Sequence, residues 1–309
     1  MSCARVGLSL CLLFVLSLSA QAHAATLYVN CAGKGPLTSI GAALKLVQYL
    51  GPSTINVSGA CHENVVIQSL DRLTLNALNG ASVSDASGGT QDVIDIFDSR
   101  DVSINGFTIN AAWDGQSGAN AIGCGDWSAC RLSGNVLQGA AGGAGLDVFQ
   151  ASEATLDGDT LQNNYYGLQV LSGSKVREGG AARTITSRNN VRGIDMRRGA
   201  FVYLQANITN NSDVGVAVQF QSTLELTSSS ITGSGSAGAL ATQSSFARFT
   251  FSTISGNAGS GVILSDLSMG NFGGTTVSGN GATDVVCNPQ FAATRGTTTI
   301  GGTTNCVEP

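Results

Sequence analysis

At 309 residues, 42% of them hydrophobic, the chain has ample apolar surface for a core, and its net charge of −5 is too small for a disordered polymer. Only 15 Lys and Arg face 20 Asp and Glu, with no basic stripe, which argues against a nucleic-acid partner. Gly reaches 41 residues but without a three-residue period, so collagen is excluded.

The first 24 residues have the layout of a secretory signal. Arg5 supplies the positive start, Val6 to Leu18 the apolar stretch, and Ala22-His23-Ala24 a small-x-small cleavage site. Those 13 apolar residues are too few to span a bilayer comfortably, and no other segment is apolar enough to do so. The expected mature chain is exported (periplasmic or extracellular), cut near Ala24, and forms one domain over 25–309 with no membrane span.

A capping helix is expected next, over 37–50. Ser39 can cap it, and Ile40, Ala43, Leu44, Val47 and Leu50 fall on one face. Extended segments follow from Thr54-Ile55-Asn56-Val57 through Val65 to Ile67, Leu73 to Leu75, Val93 to Phe97 and Val102 to Ile109. From there the chain repeats. Ile208, Ile231, Ile254, Val277 and Ile300 stand 23 residues apart, and Leu137, Leu161 and Ile185 extend the series upstream. Gly215, Gly238 and Gly261 follow three of these rungs by seven residues, with Asp284 in the same slot of the next. A period of this size means one stacked unit. Short β-branched runs with no helical stretch between them predict an all-β parallel solenoid of about 9–10 coils, ending in a tail over 288–309. The rhythm breaks at 110–129 and at 174–199.

The solenoid narrows the six cysteines left after signal removal to local pairs: Cys31–Cys61, Cys124–Cys130 and Cys287–Cys306. Zinc is the competing reading, but the mature chain has no CxxC and a single histidine, His62.

Helix, then Ser53-Thr-Ile-Asn-Val-Ser-Gly-Ala-Cys-His-Glu-Asn-Val-Val-Ile67, then Asn- and Gly-rich coils, resembles the right-handed parallel β-helix proteins of the pectate-lyase-like superfamily. The resemblance covers nearly all of 26–309 and rests on fold motifs. It implies a right-handed helix. The superfamily holds lyases, hydrolases, esterases, epimerases, tailspikes and adhesins, so it selects no single activity.

One strand per coil follows the recurring glycine, and alternation sorts its side chains into core and exterior. The outward row then reads Asp95, an unassigned position in 119–124, Asp147, Gln169, Asp195, Ala217, Leu240, Ile263 and Val286. It is acidic in its N-terminal half and apolar in its C-terminal half. Trp127, Phe149, Tyr165 and Tyr166 lie nearby as stacking residues for sugars, so polysaccharide is the expected partner. Asp147 and Asp195, two rungs or about 9.5 Å apart, are at the upper spacing for an inverting glycosidase. Six of the eleven mature-chain arginines (Arg177, Arg183, Arg188, Arg192, Arg197, Arg198) lie within 22 residues. They suit an acidic polysaccharide, with Arg197 and a tyrosine serving a β-eliminating lyase, or they pair with Asp157, Asp159, Glu178 and Asp195 as a charged loop.

The candidate catalytic set is therefore Asp147, Asp195 and Arg197; the candidate binding set is Asp95, Trp127, Phe149, Tyr165, Tyr166, Gln169 and Arg192. The alternative is a non-catalytic structural or adhesive solenoid. With His62 as the lone histidine and no Gly-His-Gly, histidine-based acid or triad chemistry is not expected. No cofactor is required, although Asp85, Asp92, Asp95 and Asp98 offer oxygens to calcium. The apolar half of the row needs cover, from the tail 288–309 or from a second subunit.

Overall fold

Apolar and polar residues alternate over a few positions, then Gly, Asn or Ser turns the chain; among the described residues this builds 31 short strands and one helix. The computed structural model describes residues 24–33, 35–48, 51–180, 184–288, 293–295, 299–300 and 306. Ten strands, from Val65–Gln68 to Val285–Cys287, form one parallel sheet in chain order. The remaining 21 form a second parallel sheet bent into two faces, because the long strands Ser53–His62 and Leu73–Ser84 run through both. Each coil thus contributes up to three strands to a right-handed parallel β-helix of about ten turns.

The 23-residue ladder is a column of paired core residues: Ile208 against Ile231, then Ile254, Val277 and Ile300. Upstream it departs from expectation. Leu161 stacks on Ser187, not on Ile185, which pairs with Ala206. The extra residues of the long coil shift the register by two, which keeps alternation but places a hydroxyl at a core position. Ser187 is satisfied there by donating to the Gly193 carbonyl at 2.8 Å.

Sterics explain the recurring glycine. A Cβ on Gly193, Gly215, Gly238 or Gly261 would sit 2.5–2.6 Å from the carbonyl oxygen in the same slot of the next coil. Beside it runs a buried amide column, with the backbone N–H of Asn164, Asn190 and Asn257 donating to the side-chain oxygen of Asn190, Asn211 and Asn280. Asp284 occupies the glycine slot of the last strand in the ten-stranded sheet, which no further described strand of that sheet follows. Its Oδ1 accepts from Asn280 N and Nδ2 and so ends the column.

The helix is shorter than expected, Ile40–Val47, since Ser39 is extended (φ −145°) and caps it by accepting from Ala42 N. Ile40, Ala43, Leu44 and Val47 are buried as the pattern implied; Leu50 lies outside the described residues. Glu63 adds a second cap, accepting from Ile40 N at 2.7 Å and Gly41 N at 3.0 Å. Cys31–Cys61, Cys124–Cys130 and Cys287–Cys306 are joined. Among the described residues no helix is long and apolar enough to cross a membrane. The signal segment lies outside them, as does most of the tail expected to cover the apolar row.

Candidate functional site

The outer face of the ten-stranded sheet carries the row in the expected order: Val66, Asp95, Gly123, Asp147, Gln169, Asp195, Ala217, Leu240, Ile263 and Val286 are neighbours in register. Gly123 fills the position left open in 119–124. With Gly125 it leaves the strand Ile122–Gly125 without outward side chains. The gap is used by its neighbours. A Cβ on Gly123 would lie 2.5 Å from Asp92 Oδ2 and 3.2 Å from Asp95 Oδ1, and one on Gly125 would overlap the Phe149 ring.

Asp92, Asp95 and Asp147 thereby face one another around a glycine floor. Burial, helped by the charges of Asp92 and Asp195, pushes the Asp147 carboxyl up to about 7. Burial and the charges of Asp92 and Asp126 push Asp95 up to about 6. Asp92 also rises through burial, although Asn120 donates to it through N (2.7 Å) and Nδ2 (3.1 Å). Asp147 Oδ1 is buried and has no hydrogen-bond partner among the described residues.

These shifts set a pH dependence. An Asp whose folded value is raised is protonated in the native state and ionised in the unfolded chain, so stability falls as pH climbs from about 4 to 7 and then levels. Asp147→Asn removes that loss. We expect it to stabilise the fold by about 2 kcal/mol at pH 8, or roughly 4 °C or more in Tm, and by about a third of that at pH 5. Thermal unfolding at the two pH values checks this; an equal effect at both would contradict the assignment.

Two rungs further on, Asp195 is an outward residue that is nevertheless 0% exposed. Arg192 Nη1 lies 3.1 Å from its Oδ1 and Arg197 Nε 2.8 Å from its Oδ2. Arg192 also donates through Nε to Asp213 Oδ2 at 2.9 Å. Arg197 Nη2 approaches Tyr166 Oη at 3.3 Å, with the guanidinium 5.8 Å from the ring centre. Tyr165 meets Tyr166 edge-on at 4.7 Å. Gln169 stands between the acidic group and this arginine pair. Ala217 ends the polar half and is buried.

The structure thus joins Asp147, Gln169, Asp195, Arg192, Arg197, Tyr166, Asp95 and Phe149 on one face. It sets Trp127 apart on the adjoining corner, 76% exposed. The arginine cluster splits. Arg177 pairs with Glu153, Arg188 donates to Gln162, Arg198 projects from the corner, and Arg183 is outside the described residues. Asp159, read as a surface acid, is a buried rung that accepts from Asn135 N and Nδ2 and from Asp157 N; burial raises it to about 6. Asp85 turns into its own loop, held by Ser87, Asn64 and Gly89 and lowered to about 2, and Asp98 accepts from Ser69. Among the described residues the four aspartates named for calcium do not gather; the single tight ligand group is Glu63 with the Cys31–Cys61 disulfide. Asp213 was not anticipated from the sequence, and Asp92 was named only for calcium, because both precede strands, where alternation assigns no face.

A family model described as the right handed beta helix region matches residues 177–305. No curated protein matches the chain in sequence. The structure is similar to the A-module of the Azotobacter vinelandii mannuronan C-5 epimerase AlgE6, with TM-score 0.67 and 13% identity over 91% of this chain and 96% of that one. The A-module of AlgE4 from the same organism gives TM-score 0.64 and 12% identity, over 91% and 98%. The pectate lyase Pel9A gives 0.51 and 12%, over 92% and 78%. At such identities the likeness carries the fold alone.

Proposed function

We propose that this protein is exported and binds an acidic polysaccharide across the N-terminal half of its ten-stranded sheet. One observation carries the reading: carboxyls raised toward neutrality share a face with two guanidinia held by a buried aspartate. Below pH 6 Asp95 and Asp147 are largely protonated, so they donate to sugar oxygens and do not repel an anionic chain. Arg192 and Arg197, only partly used by Asp195, direct their remaining N–H groups outward to carboxylates. Similar structures named for mannuronan and pectate, both built of uronic acids, support the same class of ligand. The three disulfides suit an oxidising compartment.

A second reading, chain cleavage or epimerisation, draws on the unpartnered Asp147 Oδ1, a proton donor near neutral pH on the sheet face that also carries Arg197 and Tyr166. Asp195, enclosed by two cations, positions them and is not the base of a hydrolytic pair. Titration of the protein with polymannuronate and polygalacturonate, against a neutral glucan, tests binding. We expect saturable uronan binding that weakens at least tenfold from pH 5 to pH 8. Equal affinity for the neutral polymer, or none for either uronan, removes the proposal. Product analysis of the same mixtures decides on turnover.

A further inference from the structure

Beyond the sheet face, the chain turns a corner, and every coil turns it with residues in the left-handed region. The pairs are Asp126–Trp127, Gln150–Ala151, Ser172–Gly173, Arg198–Gly199, Phe220–Gln221, Gln243–Ser244 and Asp266–Leu267. Backbone N–H groups link successive pairs, as from Gly199 to Phe220 O and from Gln221 to Gln243 O. Most pairs hold residues suited to such a turn: Gly, Asn-like amides, Asp or Ser. Phe220 does not fit that pattern, and neither do Trp127, Ala151 and Leu267. At φ 53° the Phe220 ring gains nothing from the backbone conformation, and it stands 44% exposed in place of being tucked into the core.

What surrounds it is a cleft of about 640 Å³ lined by Arg198, Gly199, Phe220, Gln221, Gln243 and Ser244. Gly199 has nothing within 4 Å of the position its Cβ would take, so the floor is open. Among the described residues Arg198 has no ion-pair partner, unlike its chain neighbour Arg197 and Arg192 at the start of the same strand. An aromatic face, a free guanidinium, two side-chain amides and a hydroxyl therefore converge on one accessible hollow.

We infer that this corner is a second saccharide site, taking one acidic sugar unit with its ring face on Phe220 and its carboxylate on Arg198. Gln221, Gln243 and Ser244 supply donors and acceptors for hydroxyl groups. The ligand class rests on the reading of the sheet face; the location does not. The corner turns between Trp127 and this cleft are Gln150–Ala151 and Ser172–Gly173, a separation of three rungs or about 14 Å, which a long chain can bridge.

Calorimetric titration of the full mature chain with a mannuronate hexasaccharide, and with cellohexaose as the neutral probe, tests the site. We expect two sites for the uronate. Phe220→Ala and Arg198→Ala each weaken one of them about tenfold or more and leave the other intact, while Arg192→Ala affects only the second. Both corner residues are exposed, so unchanged thermal unfolding is expected in the variants. A single site untouched by the corner variants but weakened by Arg192→Ala overturns the corner inference and leaves the sheet face standing. A single site lost in Phe220→Ala and kept in Arg192→Ala supports the corner and sinks the sheet face. Cellohexaose binding as strong as uronate binding overturns the role of Arg198, and no binding of either probe overturns both sites.

Discussion

Arg197→Ala is expected to lower affinity for uronate oligosaccharides at least tenfold and to destabilise the fold by about 3 kcal/mol. Its guanidinium lies 2.8 Å from one oxygen of an aspartate with no solvent exposure, and reaches Tyr166 through its other arm. Truncation leaves Asp195 buried against Arg192 alone. Desolvation of a carboxylate costs several kcal/mol, so half a clamp does not suffice. The double variant Arg197→Ala with Asp195→Asn separates the two roles. It removes the orphaned charge, so stability should recover by about 2 kcal/mol while affinity stays low. Recovery of both in the double variant would show that Arg197 serves only to neutralise Asp195. Denaturant unfolding and titration with the hexasaccharide provide the two measurements.

Gly238→Ala is the second large effect, and it should appear in stability alone. The new methyl would lie 2.6 Å from Gly261 O, 2.7 Å from Asn257 Nδ2 and 2.8 Å from Ile254 Cγ2. None of these is a flexible chain end, and all three belong to the coil stacked above. Separation of the coils by even half an ångström weakens the local ladder and the amide column together, a cost of about 3 kcal/mol. Gly180→Ala is the control, having nothing within 4 Å, and should be neutral or slightly stabilising through the unfolded chain. Equal effects at the two positions would show that the glycine is kept for flexibility and not for space.

The solenoid was legible because its signal repeats. The Ile208 to Ile300 spacing, the glycine seven residues on and the alternation in each short run all report the same coil, and the outward row follows by counting. The count failed at Ile185 because two extra residues preserve alternation; the pattern looks unbroken while the register has moved, and only Ser187 in the core reveals it. Site chemistry was legible in part. Asp147, Gln169, Asp195 and Arg197 could be placed on one face because each sits within a strand. That Asp195 lies beneath two arginines depends on side chains folding back across rungs, and that Asp92 reaches the same patch depends on a missing side chain at Gly123. Period and alternation carry no information about either.

Asp284 has a meaning beyond its own coil. A parallel β-helix is an unfinished stack: each end presents unpaired strand edges to which another chain can add, the same geometry from which fibrils grow. At the N-terminal end, the helix Ile40–Val47 covers the opening. At the other, the slot that admits the next coil's carbonyl in earlier turns holds a side chain, so a strand stacked there in the same register would meet its Cβ. One side chain thus ends the run of glycine slots in the ten-stranded sheet, while Ala293–Arg295 and Thr299–Ile300 carry the chain one coil further in the other sheet and Cys306 is tied back to Cys287.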